Sequence, residues 1–445
     1  MKLLCISLGC DKNLVDTEMM LGLLNKDGYE FTDDEQEADV IVINTCCFIN
    51  DAKEESVNTI LEMAELKKTG NCKALIVTGC LAQRYKQEII DEIPEVDGIL
   101  GTSTYDEISN VLKQALQGQH TSCFHDLDLL PDVKAERVIT TGGYYAFLKI
   151  AEGCDKRCTY CIIPSLRGSY RSVPMEKLVS EAEELAEKGV KELILVAQET
   201  TLYGVDLYGK KMLPELLHKL CRISGIQWIR VQYCYPEEIT DELIETIKTE
   251  EKVCNYLDIP IQHASDKILK RMGRRTNQEH LREMVAKLRR EIPDMALRTT
   301  LISGFPGETQ EDHETLMQFV DEMEFERLGV FAYSAEEDTP AAGFENQVPE
   351  EVKEERRDEL MELQQEIAFE KSEAMVGKVV EVMIEGKVAD EAAYVGRTYM
   401  DAPNVDGFIF VNTGEELMSG DFVRVKVTGA MDYDLIGEVY DEFTE

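Results

Sequence analysis

Short apolar runs alternate with amphipathic stretches along the first quarter of the chain. Residues 3–8, 40–43 and 74–78 are predominantly apolar runs of strand length. Residues 13–26, 52–68 and 84–92 carry apolar positions at helical spacing between and after them. Strand–helix alternation predicts a parallel sheet with right-handed crossovers, here an α/β, doubly wound domain over residues 1–116. Residues 117–139 mix Gly, Pro, Asp and Ser and are expected to form a linker. From Tyr144 the alternation resumes, with strands expected at 146–150, 192–197, 228–232, 256–259, 297–302 and 327–331. Helices are expected at 174–188, 213–223, 241–249, 278–290 and 310–323. This succession predicts a TIM-like (β/α) partial barrel over residues 140–370, with its site at the carboxyl face of the strands. Residues 350–375 read as a charged helix with apolar Leu360, Leu363, Ile367 and Phe369. The runs at 378–384, 408–411, 422–427 and 435–440 are short, β-rich and broken by Gly and Asp. They predict a small antiparallel β-barrel over residues 372–440.

Charge narrows the choice of partner. The 445 residues include 47 basic and 87 acidic side chains, a net charge of −40. Such a field repels phosphate backbones and favours a cationic partner, although solubility alone is also served by it. The terminal segment, residues 372–445, has 16 acidic residues against five basic ones, the wrong sign for a nucleic-acid-binding barrel. No apolar run approaches the ~20 residues of a membrane span. The opening Met1-Lys2-Leu3-Leu4-Cys5-Ile6-Ser7-Leu8-Gly9-Cys10 superficially suggests a lipoprotein signal, but its apolar stretch is too short for one. Thirteen cysteines, an odd and clustered set, suit a reducing compartment and metal ligation better than a disulfide scaffold. A cytoplasmic protein with no membrane association is expected.

The densest chemistry lies in Glu152-Gly153-Cys154-Asp155-Lys156-Arg157-Cys158-Thr159-Tyr160-Cys161. The C-x3-C-x2-C spacing offers three thiolates from one loop, and the following Ile162-Ile163-Pro164-Ser165-Leu166-Arg167-Gly168 supplies no soft ligand. A structural zinc site would close with a fourth Cys or His, and a ferredoxin cluster with a fourth thiolate. Three thiolates can hold a cubane iron–sulfur cluster and leave one iron open to a small molecule. A second set is suggested by topology. Each of the three amino-terminal strands runs into cysteine: Cys10, Cys46 (with Cys47 beside it) and Cys80. Ligands of open parallel sheets bind at the strand carboxyl ends, so these thiols either meet in space or are three separate core cysteines.

These residues resemble a known family. Gly153-Cys154-x3-Cys158-x2-Cys161 after a barrel strand is similar to the radical S-adenosylmethionine (SAM) signature. Ile302-Ser303-Gly304-Phe305-Pro306-Gly307-Glu308 resembles the glycine-rich SAM-binding segment of that superfamily. Ser7-Leu8-Gly9-Cys10, Asn44-Thr45-Cys46 and Thr78-Gly79-Cys80 resemble the amino-terminal domain of the radical SAM methylthiotransferases, and the terminal barrel matches their TRAM domain. The resemblance covers nearly the whole chain. Two branches compete, one acting on an adenosine of tRNA (MiaB-like) and one on the β-carbon of an aspartate in ribosomal protein S-twelve. The runs 333–342 and 396–407 resemble the second branch, and the acidic surface agrees with it; tRNA is the disfavoured substrate. A non-enzymatic iron–sulfur carrier would use complete four-thiolate sites.

The resemblance implies two 4Fe–4S clusters, one on Cys154, Cys158 and Cys161 for radical formation from SAM, the other on Cys10, Cys46 and Cys80 for the sulfur. It implies an external one-electron reductant, a sulfur donor, and protein S-twelve, free or in the small subunit, as the partner. The Asn-Thr-Cys match prefers Cys46 to Cys47, which spacing alone does not separate. Gly304, Pro306 and Gly307 are expected at the SAM pocket. Tyr160 is expected either there or packed over the cluster. Gln198 and His263 follow barrel strands and either line the site or are structural, with the structural reading favoured for His263. Arg167 and Arg171 either contact SAM or the substrate carboxylate, or pair within an acidic protein. Cys5, Cys72, Cys123, Cys221, Cys234 and Cys254 are read as structural.

Overall fold

A computed structural model describes all residues except 134, 390 and 441–445. Residue 134 of the expected linker and residue 390 of the expected terminal barrel therefore lie outside the described residues. The chain forms two compact units, the first made of residues 1–140, 151–173 and 334–342, the second of the remainder.

The first unit is built on a six-stranded sheet in the order Glu30–Phe31, Lys2–Ser7, Val40–Thr45, Ala74–Gly79, Gly98–Leu100 and Thr121–Cys123. Every pairing is parallel. Alternate side chains of each central strand go to opposite faces. Leu3, Val40, Val42 and Ile76 pack with Met20, Leu24, Val111 and Leu112 from the helices Asp11–Lys26 and Ile108–Ala115. Ile41, Ile43, Leu75 and Val77 pack with Ile60, Met63 and Leu66 from the helix Asn50–Thr69. Both faces are covered, which is why these strands read as predominantly apolar runs. The winding direction reverses between Lys2–Ser7 and Val40–Thr45, and this is the switch point where open sheets of this kind hold ligands.

Three differences from the sequence reading have local causes. The helix expected at 84–92 is split into Cys80–Tyr85 and Gln87–Glu92, because Lys86 takes a left-handed conformation (φ 46°). The strands Glu30–Phe31, Gly98–Leu100 and Thr121–Cys123 are too short to show a period, and the last falls within the expected linker. That segment is also pinned later along the chain, where Arg137 Nε donates to buried Glu18 at 2.8 Å.

The second unit contains six parallel strands in sequential order: Tyr145–Lys149, Glu192–Val196, Trp228–Val231, Val253–Asp258, Ala296–Ser303 and Arg327–Ala332. The first and last of these are the sheet edges, so the (β/α) barrel is partial. The helix Glu350–Glu373 buries Lys353, Arg356, Leu360, Gln364 and Ile367, while Phe369, expected on the apolar face, is exposed. The last five strands close into a barrel in the order Val379–Lys387, Ala393–Arg397, Ile409–Asn412, Asp434–Val439 and Phe422–Met431. One pairing in it, Ile409–Asn412 with Asp434–Val439, is parallel, a departure from the all-antiparallel expectation.

Residues 397–406 of this barrel pack on the partial sheet. Glu192 accepts from Arg230 Nε and Arg397 Nη2, each at 2.7 Å, and all three side chains are fully buried. Arg327 Nε donates to Asp401 at 2.9 Å, and the Tyr256 hydroxyl donates to Asp406 at 3.1 Å. Glu192 and Arg327 are the first residues of their strands, so the small barrel caps the amino end of the sheet and leaves its carboxyl end clear.

Candidate metal centre

Cys10, Cys46 and Cys80 all lie just past the carboxyl ends of adjacent strands. Cys10 is the N-cap of the helix Asp11–Lys26, Cys46 directly follows Thr45, and Cys80 opens the helix Cys80–Tyr85. Two of the three are preceded by glycines that the geometry requires. Gly9 has φ 88°, and a Cβ there would lie 2.6 Å from Cys46 Cβ and 2.8 Å from Cys46 Sγ. Gly79 has φ 91°, and its Cβ would overlap Asn44 Oδ1 and lie 2.5 Å from the Thr45 carbonyl. L-residues strongly disfavour this backbone region, and the space is already filled.

Asn13 ties the loops together. Its Nδ2 donates to the Leu8 carbonyl at 2.9 Å and to the Thr45 carbonyl at 3.0 Å. Asn44 Nδ2 donates back to the Asn13 carbonyl at 2.8 Å, and Cys80 Sγ lies 4.0 Å from Asn13 Oδ1. Burial pushes the Cys46 thiol up to about 12, and neighbouring Cys80 and Cys10 act in the same direction. Burial also raises Cys80, with nearby Arg167 partly opposing it. Cys47 is pushed up to about 12 by burial and Cys80, with Arg84 as its cationic neighbour. A metal binds these groups as thiolates, so loading the site must release the protons that burial holds on them. Cys10 is exposed, whereas Cys46 and Cys80 are buried, so the centre opens to solvent on one side.

The three cysteines of the short loop belong to the same compact unit. A two-stranded antiparallel ribbon, Ala151–Glu152 with Arg171–Ser172, forms the base of the loop. Gly153 has φ 79°, and a Cβ there would lie 2.6 Å from the Gly168 carbonyl and overlap that of Ser169. Arg157, also left-handed at φ 53°, turns the chain between Cys154 and Cys158. Cys161 N–H donates to the Cys158 carbonyl at 3.0 Å, and Ala341 N–H donates to the Thr159 carbonyl at 2.9 Å. Cys154 and Cys158 are buried, and Cys161 and Tyr160 are half-buried.

Arg167 does not point to an open pocket. Its guanidinium is 2 % exposed and donates to Asp16 at 2.8 Å, to Glu152 at 3.1 Å and to Asn13 Oδ1. Asn13, Asp16 and Glu152 escaped the sequence reading because nothing in a helical or strand period distinguishes a buried polar residue at a site from one on a solvated face. Arg171 donates to the Arg167 carbonyl at 3.0 Å, so it too is used within the loop base.

In the second unit, Gly304, Phe305, Pro306 and Gly307 form a turn just past Ala296–Ser303. Gly304 has φ 68°, and a Cβ there would overlap the Lys353 side chain; Gly307 has φ 85° against Arg271. Glu308 Oε2 accepts from the Gly304 and Phe305 N–H groups at 2.9 and 3.2 Å, and Arg356 holds its other oxygen at 2.9 Å. His263 is fully buried, accepts from Ser265 N–H at 2.9 Å and lies 3.4 Å from Glu308. Gln198 lies half-buried two residues past Glu192–Val196.

Among the described residues, no three His, Cys, Asp or Glu side chains converge on a single point as a mononuclear ion requires. The ligands of a four-iron cubane attach instead to separate corners, and two all-thiol sets with glycine-cleared approaches fit such a group in donor chemistry. No helix among the described residues is long and apolar enough to cross a membrane.

Family models match in three blocks: the Uncharacterized protein family UPF0004 at residues 2–101, the Radical SAM superfamily at 148–320 and a TRAM domain at 376–439. A curated relative from Lachnoclostridium phytofermentans, named ribosomal protein uS12 methylthiotransferase RimO, is 69% identical over 98% of this chain and 99% of its own. A protein of the same name from Acetivibrio thermocellus is 55% identical over 98% of each chain. Among solved structures, the radical S-adenosylmethionine methyltransferase TsrM from Kitasatospora setae aligns with a TM-score of 0.55 at 13% identity, covering 76% of each chain. At that identity the likeness concerns the fold alone.

Proposed function

The chain belongs to the RimO family of ribosomal protein uS12 methylthiotransferases, and we propose that it attaches a methylthio group to the β-carbon of an aspartate in that ribosomal protein. The observation that carries the reading is the presence of two incomplete three-cysteine sets in one compact unit. An aliphatic C–H bond has no useful acidity, so acid–base side chains have no purchase on it. When bound, a 4Fe–4S cluster with SAM at its open iron supplies one-electron chemistry that generates a hydrogen-abstracting radical.

The chain's own residues hold, orient and exclude. Cys154, Cys158 and Cys161 would hold three corners of the radical-forming cluster, on a loop whose base is fixed by Gly153 and Glu152. Cys10, Cys46 and Cys80 would hold a second cluster as the site of the sulfur. Cys46 is assigned over Cys47 on the Asn-Thr-Cys match, and the packing of Gly9, the residue before Cys10, against its Sγ supports this. Gly304, Pro306 and Gly307, kept in their turn by Glu308, are assigned to SAM, with Tyr160 and Gln198 as further contacts. Holding both cysteine sets on one body spares the sulfur step the entropy of a bimolecular encounter. An external reductant and a sulfur donor complete the requirements, and the reaction is placed in the cytoplasm with its ribosomal substrate.

The net charge of −40 supports a basic protein substrate over a nucleic acid. The test is incubation of the reconstituted, reduced protein with SAM and a sulfide source, offering uS12 and tRNA in parallel. Methylthiolation of the uS12 aspartate peptide by mass spectrometry is the expected result. Labelled methyl in tRNA with an unchanged uS12 peptide would move the chain to the adenosine branch, and absence of SAM cleavage would favour an iron–sulfur carrier.

A further inference from the structure

Arg167 is the feature of the first unit that this function does not yet use. It ends the helix Ile163–Arg167, which begins two residues after Cys161. Its salt-bridge partner Glu152 lies two residues before Cys154. The pair therefore brackets the short cysteine loop. The guanidinium, however, is not directed to that loop's own thiols. It lies among Asp16, Asn13 and Cys80, beside the switch point of the parallel sheet. Thr102 Oγ1 donates to the Leu166 carbonyl at 2.6 Å and fixes the same helix to the sheet side.

The charge balance there is unusual. Two buried carboxylates and buried thiols share the neighbourhood with the Arg167 guanidinium, which never deprotonates, while Arg171 lies on the Glu152 side of it. Three thiolates and a cluster would add further negative charge, and each added electron would add more. In a poorly solvated site a fixed cation at this distance stabilises the more negative oxidation state. Pairing alone would be a sufficient account of Arg167 if its partners lay on the surface. They instead line the cysteine centre, and Asn13, which accepts from Arg167, also clamps the loops of Cys10 and Cys46.

We propose that Arg167 is a positioning residue whose fixed charge raises the reduction potential of the cluster held by Cys10, Cys46 and Cys80, while its bridge to Glu152 ties the base of the Cys154–Cys161 loop to that centre. The proposal rests on the assignment of a cluster to those three cysteines.

The experiment uses the full chain with Cys154, Cys158 and Cys161 replaced by Ala, so that only the amino-terminal centre carries iron. Its midpoint potential is read by electron paramagnetic resonance during reductive titration, with iron and sulfide counted per chain. Arg167→Gln is expected to lower the potential and Asp16→Asn to raise it, with Arg167→Lys closer to the parent than Arg167→Gln. A merely structural role predicts no such opposition of sign. Equal potentials in the parent, Arg167→Gln and Asp16→Asn proteins, or shifts in one direction, would overturn the proposal. If Arg167→Gln fails to load iron, the Asp16→Asn and Arg167→Lys proteins still decide it: no rise in the former overturns it. Absence of any cluster in the parent would instead remove the cysteine assignment itself, a distinguishable failure.

Discussion

Asn13 Nδ2 lies 3.0 Å from the carbonyl of Thr45, the residue immediately before Cys46. Through this bond and its partner to Leu8, one buried amide sets the spacing of two cysteine loops from different strands. Asn13→Ala is expected to leave two carbonyls without their donor and to cost about 1–3 kcal/mol per buried group. Iron bound per chain should fall at the amino-terminal centre while the short loop keeps its share. Thermal unfolding and iron analysis check both parts.

Gly79 is the more constrained of the two glycines that precede cysteines of the amino-terminal centre. Gly79→Ala places a Cβ on Asn44 Oδ1 in a backbone region that costs about 1–3 kcal/mol for an L-residue. The expected outcome is loss of iron from the amino-terminal centre with a lowered denaturation midpoint. Gly118→Ala, where the φ is also positive but nothing lies within 4 Å, should show only the backbone cost.

The two adjacent cysteines separate by substitution. Cys46→Ala is expected to remove one of two clusters, whereas Cys47→Ala should keep both. A full iron complement in the Cys46 variant with a deficit in the Cys47 variant would reverse the assignment.

Asp312 gives a pH signature. Burial alone would raise its pKa, but Lys267, Ser265 and Thr309 outweigh burial and hold it below the usual carboxylate range. A depressed folded pKa contributes stability that is present above the unfolded value, about 3.9, and lost as pH falls through the folded one. Asp312→Asn should therefore destabilise the protein at neutral pH, with the gap to the parent closing below about pH 4. Urea midpoints across that range check it, and a gap that persists at low pH would contradict it.

Arg397 holds the terminal barrel to the partial sheet through Glu192. Arg397→Ala leaves a fully buried carboxylate with Arg230 as its remaining ion-pair partner and is expected to cost about 3–5 kcal/mol. Chemical denaturation measures the loss. The same substitution should leave iron content unchanged, since the cysteines belong to the other compact unit.

Local sequence carried the short cysteine loop because that signal is complete within a few residues, whereas the relation of Cys10, Cys46 and Cys80 depends on the order of the strands they follow. The loop spacing counts its own thiols, and an apolar run ending in Gly-Cys shows a strand end without any tertiary knowledge. Arg167 lacked such a signal. Its charge was visible, but its partner Asp16 is 151 positions away, and neither residue breaks a periodic pattern. Likewise residues 396–407 read only as a resemblance to one branch of the family, while the fold uses Arg397, Asp401 and Asp406 as buried ion-pair partners of the sheet.

The sequence by itself determined the strand–helix order, the spacing of the short cysteine loop and the sign of the net charge, because hydrophobic period, ligand spacing and net charge are local or additive quantities. Tertiary structure alone decided that residues 151–173 join the amino-terminal unit, and that the Arg167 guanidinium lies beside Asp16 and Cys80. Those outcomes depend on which buried charge finds which partner across the chain. Desolvation makes an unmatched choice costly, yet it leaves no periodic trace in the order of residues.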